Sequence, residues 1–236
     1  MARFLIFCML TSLALPIFGQ SYTHNNTLRV NALNGLHLRQ QASAKSASKK
    51  LLPYGEQVVV ISETEGKQLS IDGLTGTWVA VISNRDTGYV FDAYLTRLPL
   101  APVELPKNGN LPGLLERYAL ENLGAIDSVY YNNGADGEPY HSMTIFNLRD
   151  GHQYIRHSLW ENFEWELQLQ NVRESEGINL IMNWLKLCGK LTAAAEKAVK
   201  ERSATSSFYV KINDACCSLS VYKFEKRLII RLRGGP

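Results

Sequence analysis

The stretch that decides the fold of the first half begins with LHLR, residues 36–39, and ends with DTGYV, residues 86–90. Between these motifs lie YGEQVVVI, residues 54–61, and WVAVI, residues 78–82. β-Branched residues dominate the two inner segments, which is typical of buried strands in a small barrel. Residues 63–77, which separate them, are rich in Gly, Thr and Asp and predict an extended hairpin loop.

In this order the segments resemble the bacterial SH3 (SH3b) domain, which closes on a Tyr-Leu pair, here Tyr94-Leu95. The resemblance covers residues 28–98. It implies an all-β SH3-like small barrel with a binding role rather than a catalytic one. Because SH3-like folds hold short peptides on exposed aromatic residues, it also implies a ligand-binding set. That set comprises Tyr94, Tyr89, His37 and Trp78.

Three residues depart from the family pattern, so the ligand is not inherited with the fold. Tyr89 replaces a common tryptophan, Ala42 a common proline and His37 the usual asparagine. Trp78 has an alternative interpretation as a core residue. Gly88 predicts a tight turn between two strands, where a side chain would clash.

The first nineteen residues have the pattern of a cleaved signal peptide. Arg3 supplies a positive charge, residues 4–18 are almost wholly apolar, and Gly19 precedes polar residues. The apolar run is shorter than the ~20 residues that span a bilayer, and no later segment reaches that length. We therefore expect a secreted or periplasmic protein with no membrane span after signal cleavage.

The charge balance narrows the range of partners. Removing Arg3 with the signal lowers the formal net charge from +3 to about +2. A chain so close to neutral gives no argument for nucleic acid or an anionic membrane as a partner. The SH3b resemblance instead implies a cell-wall peptide or an envelope protein.

Residues 99–110, which follow the barrel, are rich in proline. Because proline favours extended backbone, we predict that they form a linker. Residues 111–236 then predict an α+β domain that matches no family we recognise. Its predicted order is one helix, four strands, two helices and three strands, forming a mainly antiparallel sheet with helices on one face. Ser175 is the predicted N-cap of the second helix.

Three cysteines remain in the mature chain, so at least one thiol stays free. Cys216 and Cys217 are neighbours that project to opposite faces of a strand and would form a strained bond. A disulfide, if one forms, therefore pairs Cys188 with Cys216 or Cys217. Cys188 lies on the apolar stripe of its predicted helix, where a thiol is inert rather than nucleophilic.

The sequence predicts no catalytic residue, metal site or cofactor. SH3b-associated peptidases have a cysteine nucleophile followed by a histidine, whereas all five histidines here precede the mature cysteines. His152 and His157 face opposite sides of a predicted strand and cannot share an ion. His141 could neighbour one of them across a hairpin, but two ligands do not make a site.

The last predicted strand is basic. Arg231 and Arg233 project on one face, away from Leu228, Ile230 and Leu232. They could bind an anionic ligand or wall polymer, or they could form a solvated face that discourages edge pairing.

These observations lead to three hypotheses for function. The first is an exported, non-enzymatic SH3b-domain binding protein that engages a cell-envelope ligand such as peptidoglycan peptide. The second is an envelope enzyme with its site in residues 111–236. The third is a secreted inhibitor or immunity-type protein.

Overall fold

The computed structural model describes residues 22–63, 68–102, 110–132, 141–159, 162–200, 208–212 and 217–234. The first half of the chain forms a seven-stranded antiparallel sheet in the order β3-β2-β8-β7-β4-β1-β9, and β5 and β6 pair separately. A 3₁₀ turn, Asp92–Tyr94, precedes the last strand. The strands are β1 (Thr27–Val30), β2 (Leu36–Arg39), β3 (Ser48–Leu52), β4 (Gln57–Glu63), β5 (Leu69–Ile71), β6 (Leu74–Gly76), β7 (Trp78–Ser83), β8 (Asp86–Phe91) and β9 (Leu95–Thr96).

Alternating side chains of these strands fill one apolar core. Its buried members include the predicted β-branched residues Val58, Val60, Val79 and Val81. Trp78 is not among them, because side chains alternate along a strand and those of Trp78 and Val79 point in opposite directions. Apart from Tyr22, the buried residues of this core are aliphatic, whereas Trp78 and Phe91 lie on the outside of the barrel.

Gly88 does not form the predicted turn. It lies within β8, and the turn comes earlier, at Asn84, whose φ of 58° is one that asparagine tolerates. A Cβ atom at Gly88 would lie 2.7 Å from the carbonyl oxygen of Arg39 on β2. The glycine thus allows two strands to approach closely. Within the predicted hairpin loop, a turn at Asp72 and Gly73, both with positive φ, joins β5 to β6.

The second half forms another seven-stranded antiparallel sheet, in the order β10-β11-β12-β13-β16-β15-β14. The predicted order of helices and strands is confirmed, with α1 continuing as a π-helical turn, Tyr118–Asn122. The elements are α1 (Leu111–Arg117), β10 (Ala125–Asn132), β11 (His141–Leu148), β12 (Gln153–Leu159), β13 (Asn162–Gln170), α2 (Glu174–Leu187), α3 (Ala193–Lys200), β14 (Phe208–Ile212), β15 (Cys217–Phe224) and β16 (Arg227–Gly234).

Helix α2 lies on the sheet face that carries Leu228 and Ile230, which contact its Gly177. That α1 and α3 share this face stays a prediction. The N-cap of α2 is Arg173 rather than the predicted Ser175, and the Glu176 carboxylate accepts a hydrogen bond from the Arg173 amide at 3.5 Å. Of the helices that the structure describes, none is long and apolar enough to cross a membrane. The predicted signal peptide lies outside the described residues.

The two halves share a hydrophobic cluster. We use the name seam for this cluster and for the polar contacts beside it. Trp78 and Phe91 of the barrel belong to the same buried cluster as Ile178, Ile181 and Trp184 of α2. The chain that leaves the barrel also packs here. Tyr118 donates a hydrogen bond to the carbonyl oxygen of Pro99 at 2.7 Å. Residues 99–102 are therefore held against both halves, while residues 103–109 of the predicted linker lie outside the described residues.

Substituting Gly177 with alanine tests the packing of α2 on the sheet. The added Cβ would lie 2.1 Å from Leu228 Cδ2, inside a fully buried cluster. Overpacking costs about 1–3 kcal/mol, and the better helix propensity of alanine returns about 1 kcal/mol. We expect a net loss of up to about 2 kcal/mol in the free energy of unfolding, measured with urea.

The matched control is G113A in α1, where the nearest atom to the new Cβ is 3.9 Å away. This variant should be as stable as the wild type or slightly more so. A G177A protein as stable as G113A would contradict the packing described here.

Candidate functional site

The outward aromatic residues of the barrel are covered by the rest of the chain. The Trp78 and Phe91 rings lie 5.8 Å apart between centroids, and the Phe91 and Tyr94 rings lie 6.2 Å apart. Trp78 is only 7 % exposed although it is outside the barrel core, because Leu74 of β6 and helix α2 pack in the same cluster. Trp78 is therefore a seam residue, and a ligand cannot reach it in this arrangement.

Tyr94, the second aromatic residue of the predicted set, anchors the β5–β6 hairpin. It is half-buried, and its hydroxyl donates a hydrogen bond to Asp72 Oδ2 at 2.9 Å. Burial, followed by the neighbouring Asp72 carboxylate, raises the pKa of Tyr94 well above its ordinary range. The phenol thus remains a protonated donor committed to a contact within the barrel.

His37 and Tyr89 lie on the outer side of the barrel, where His37 is exposed and Tyr89 is partly buried against the seam cluster. Tyr89 pairs across the strands with Arg39 of β2, and it is half-buried. His37 points to the same side of β2 as Arg39, is exposed, and has its Nδ1 2.9 Å from Ser48 Oγ. We call His37, Arg39 and Tyr89 the outer strip. Of the four predicted residues, Trp78 thus lies in the seam and Tyr94 contacts the β5–β6 hairpin, while two lie in the outer strip.

A buried ion pair joins the barrel to α2. Asp92, in the 3₁₀ turn, accepts hydrogen bonds from the Arg173 guanidinium at 2.8 and 3.2 Å. The same carboxylate accepts from the amide and the hydroxyl of Thr77 at 2.7 and 3.0 Å. The Arg173 guanidinium also lies 4.6 Å from the centroid of the Tyr22 ring. Four donors satisfy the buried carboxylate, which is the condition for burying a charge.

A polar stripe on α2 continues the seam. Glu176, 2 % exposed, accepts hydrogen bonds from Thr96 Oγ1 and the Arg97 amide, both at 2.9 Å. Asn179 and Asn183 both donate to the carbonyl oxygen of Asn31, at 2.7 and 3.0 Å. Sequence reasoning missed this stripe. Its signal was available, because polar residues at positions 176, 179 and 183 recur at helical spacing on an otherwise apolar helix.

A cavity of about 370 Å³ opens where the polar seam reaches the surface, and we call it the junction cavity. Arg97, Leu98 and Pro99 form its barrel side. The second half contributes polar residues from the β11–β12 turn, from the end of β13 and from α2, chiefly Arg149, Asp150, His152, Gln170 and Glu176.

His152 lines the cavity wall and is buried, at 6 % exposure. Its Nδ1 accepts a hydrogen bond from the Gln170 amide at 2.9 Å, so in the neutral ring Nε2 carries the proton. Burial lowers the pKa of His152, and Asp150 opposes this effect more weakly. The ring is therefore a neutral donor rather than a general base.

The remaining candidate residues from the sequence are His141, His157 and the cysteines. His141 and His157 stack with centroids 6.0 Å apart, as neighbours across the predicted hairpin. Within the described ranges, no three His, Cys, Asp or Glu residues are grouped so that they could hold a metal ion. Cys188 is buried, and this burial raises the pKa of its thiol. Cys216 lies outside the described residues, so the proposed disulfide stays a prediction.

The arginines of β16 are paired with glutamates of β13. Arg231 Nη2 lies 2.6 Å from Glu166 Oε2, and Arg231 Nε lies 3.1 Å from Glu164 Oε1. Arg233 Nε also pairs with Glu164. These ion pairs compensate the positive charge of the strand, which favours a structural sheet face over an anion-binding one.

Comparison with known proteins identifies one family. Residues 34–96 match the model of the bacterial SH3 domain, within the range predicted from the sequence. Searches of curated proteins and of solved structures each gave no match. A bacterial SH3 domain suggests a role in binding cell-wall components. Both ends of the matched range lie in the barrel half of the chain.

Replacing Arg173 with methionine tests the buried ion pair. The side chains of Arg173 and Asp92 are only 11 % and 2 % exposed. Removing one partner of a buried pair leaves an uncompensated charge and typically costs about 3–5 kcal/mol. We expect a loss of this size in chemical denaturation of R173M.

The control is R156M, which breaks the pair between Arg156 and Glu116, whose side chains are 45 % and 29 % exposed. An exposed pair contributes about 1 kcal/mol or less. Equal losses in the two variants would show that the seam does not depend on Asp92 and Arg173.

The lowered pKa of His152 makes folding dependent on pH. In the unfolded chain, His152 has the ordinary pKa of about 6.5, and burial lowers the pKa in the folded protein. The unfolded chain therefore binds this proton more tightly than the folded protein does. The stability that comes from the neutral ring is complete above that pH and is lost as the pH falls below it. H152N keeps an acceptor for the Gln170 amide but cannot titrate. Its free energy of unfolding should fall less between pH 7 and pH 5 than that of the wild type, and parallel curves would refute this assignment.

Proposed function

We propose, from the bacterial SH3 domain at residues 34–96, that the chain is an exported, non-enzymatic binding protein of the cell envelope. Its barrel engages a wall-derived ligand such as peptidoglycan peptide, or an envelope protein. The family match carries this proposal. Residues 1–19, with their signal-peptide pattern, support export to the secreted or periplasmic space.

The outer strip is the part of the barrel best suited to hold the ligand. Trp78 is covered by α2, and the Tyr94 hydroxyl is committed to Asp72. Tyr89 is partly exposed, and His37 and Arg39 offer polar contacts beside it. One guanidinium nitrogen of Arg39 donates to the carbonyl oxygen of Ser46 at 2.6 Å, which fixes the side chain and leaves other donors for a ligand carboxylate.

The second half supports the barrel as a structural and partner-binding module, with its helices on one face of the sheet. Two observations favour binding over catalysis in this half. The Cys188 thiol is buried with a raised pKa, so its nucleophilic thiolate form is disfavoured. His152 uses Nδ1 to accept a backbone hydrogen bond and cannot act there as a base.

Retention on insoluble peptidoglycan at low salt tests the proposed function. The test uses the full mature chain, because the barrel shares its seam cluster with the second half. Y89A and H37A should each weaken retention by about three- to tenfold, as expected for a contact worth about 1 kcal/mol.

Y209A is the matched control, since Tyr209 is 62 % exposed on β14 of the second half. It should be retained like the wild type. Failure of the wild type to bind at all, or an equal loss in Y209A, would remove the outer strip as the wall-binding surface.

A further inference from the structure

We infer that the junction cavity is a second binding site, which holds a short peptide with a free amino group and a free carboxylate. This inference extends the proposed function and rests on it for the choice of a peptide as the ligand. The site lies between the two halves and does not include the outer strip. Its volume of about 370 Å³ falls in the range of roughly 300–1,000 Å³ that is usual for small-molecule sites.

Two of the four charged residues of the cavity are already committed to the protein. Glu176 accepts from Thr96 and from the Arg97 amide. The Arg97 guanidinium donates to Asn26 Oδ1 at 2.8 Å and lies 5.0 Å from the centroid of the Tyr22 ring. These two side chains form a fixed wall, and they leave recognition of a charged ligand to Arg149 and Asp150.

Arg149 and Asp150 are the charges available to a ligand. They are consecutive in the β11–β12 turn, and both are exposed. Among the described residues, neither forms an ion pair. Asp150 holds a φ of 57°, so the turn presents an acidic side chain where glycine would be the unstrained choice.

The buried part of the wall adds neutral donors. The Nε2–H of His152 has no acceptor among the described residues, and its Nδ1 bond to Gln170 fixes the direction of the ring. The side-chain amide of Gln170 also lines the cavity. A ligand carboxylate can therefore accept from a guanidinium and from a neutral imidazole at once.

The paired charges select a zwitterion over a simple anion. A peptide carboxylate at Arg149 and its ammonium at Asp150 would leave each protein charge compensated. Inorganic phosphate would gain Arg149 but would face the Asp150 carboxylate. The cavity is also too small for a folded partner, so a peptide of very few residues is the class that fits.

Titration of the full mature chain with the dipeptide alanyl-alanine, followed by calorimetry or NMR shifts, tests the inference. Binding should be measurable for the wild type and at least tenfold weaker for R149Q and for D150N. Asparagine tolerates the left-handed backbone of position 150, so D150N preserves the turn. The control is R85Q, which removes an exposed arginine from the β7–β8 turn of the barrel and should bind like the wild type.

Two further probes decide the ligand class. N-acetyl-alanyl-alanine amide, which lacks both charges, should bind at least tenfold more weakly, and so should inorganic phosphate. Absence of alanyl-alanine binding, equal binding of phosphate or of the capped peptide, or an equal loss in R85Q would each overturn the inference.

Peptidoglycan retention of the same proteins separates the two proposals. Wild-type protein that binds alanyl-alanine but is not retained on the wall would sustain the second site and refute the proposed function. R149Q that loses the dipeptide and keeps wall retention would support both sites as independent surfaces.

Discussion

The buried pair of Asp92 and Arg173 is the constraint from which the arrangement of the two halves follows. A carboxylate this deeply buried needs its partners in place, and two of its four donors come from a helix 81 residues further along the chain. Shifting α2 within the closed seam would leave both charges desolvated and unpaired, which is costly. The pair contributes less to net stability than to orientation, because apolar residues of similar size could fill the same space. Glu176, Asn179 and Asn183 then align with the barrel because they lie on the same helix.

This orientation determines which surfaces of the barrel remain accessible. An isolated barrel would expose the outward rings of Trp78 and Phe91, whereas α2 and β6 enclose them in a shared apolar cluster. Apolar burial favours this enclosure, and the polar stripe of α2 fixes its position. The side chains that a ligand can still contact are consequently Tyr89 on β8 and its neighbours on β2. The departures at Tyr89 and His37 from the family pattern lie on this surface, while Trp78 serves the seam.

Local features of the structure could be predicted from the sequence, because they depend on neighbouring residues. The β-branched runs within residues 54–61 and 78–82 indicated β4 and β7. Gly88 was misassigned because a glycine between strands and a glycine within one produce similar patterns. The carbonyl oxygen of Arg39, on a different strand, is what requires a glycine at this position. The Ser175 cap was wrong for a related reason, since Glu176 reaches back to the Arg173 amide and moves the helix start.

The seam could not be predicted, because its contacts join residues that are far apart in sequence. Asn31 and Asn183 are 152 positions apart, and neither one alone distinguishes a buried hydrogen bond from a solvated amide. The junction cavity inherits the same property, since its barrel side begins at Arg97 and its opposite wall includes Arg149 and His152. Its shape exists only while the polar seam holds the halves in one placement. A ligand that contacts both walls therefore binds only the docked arrangement and stabilises it by mass action. The ion pair that closes the aromatic face of the barrel thus also maintains a polar recess formed jointly by both halves.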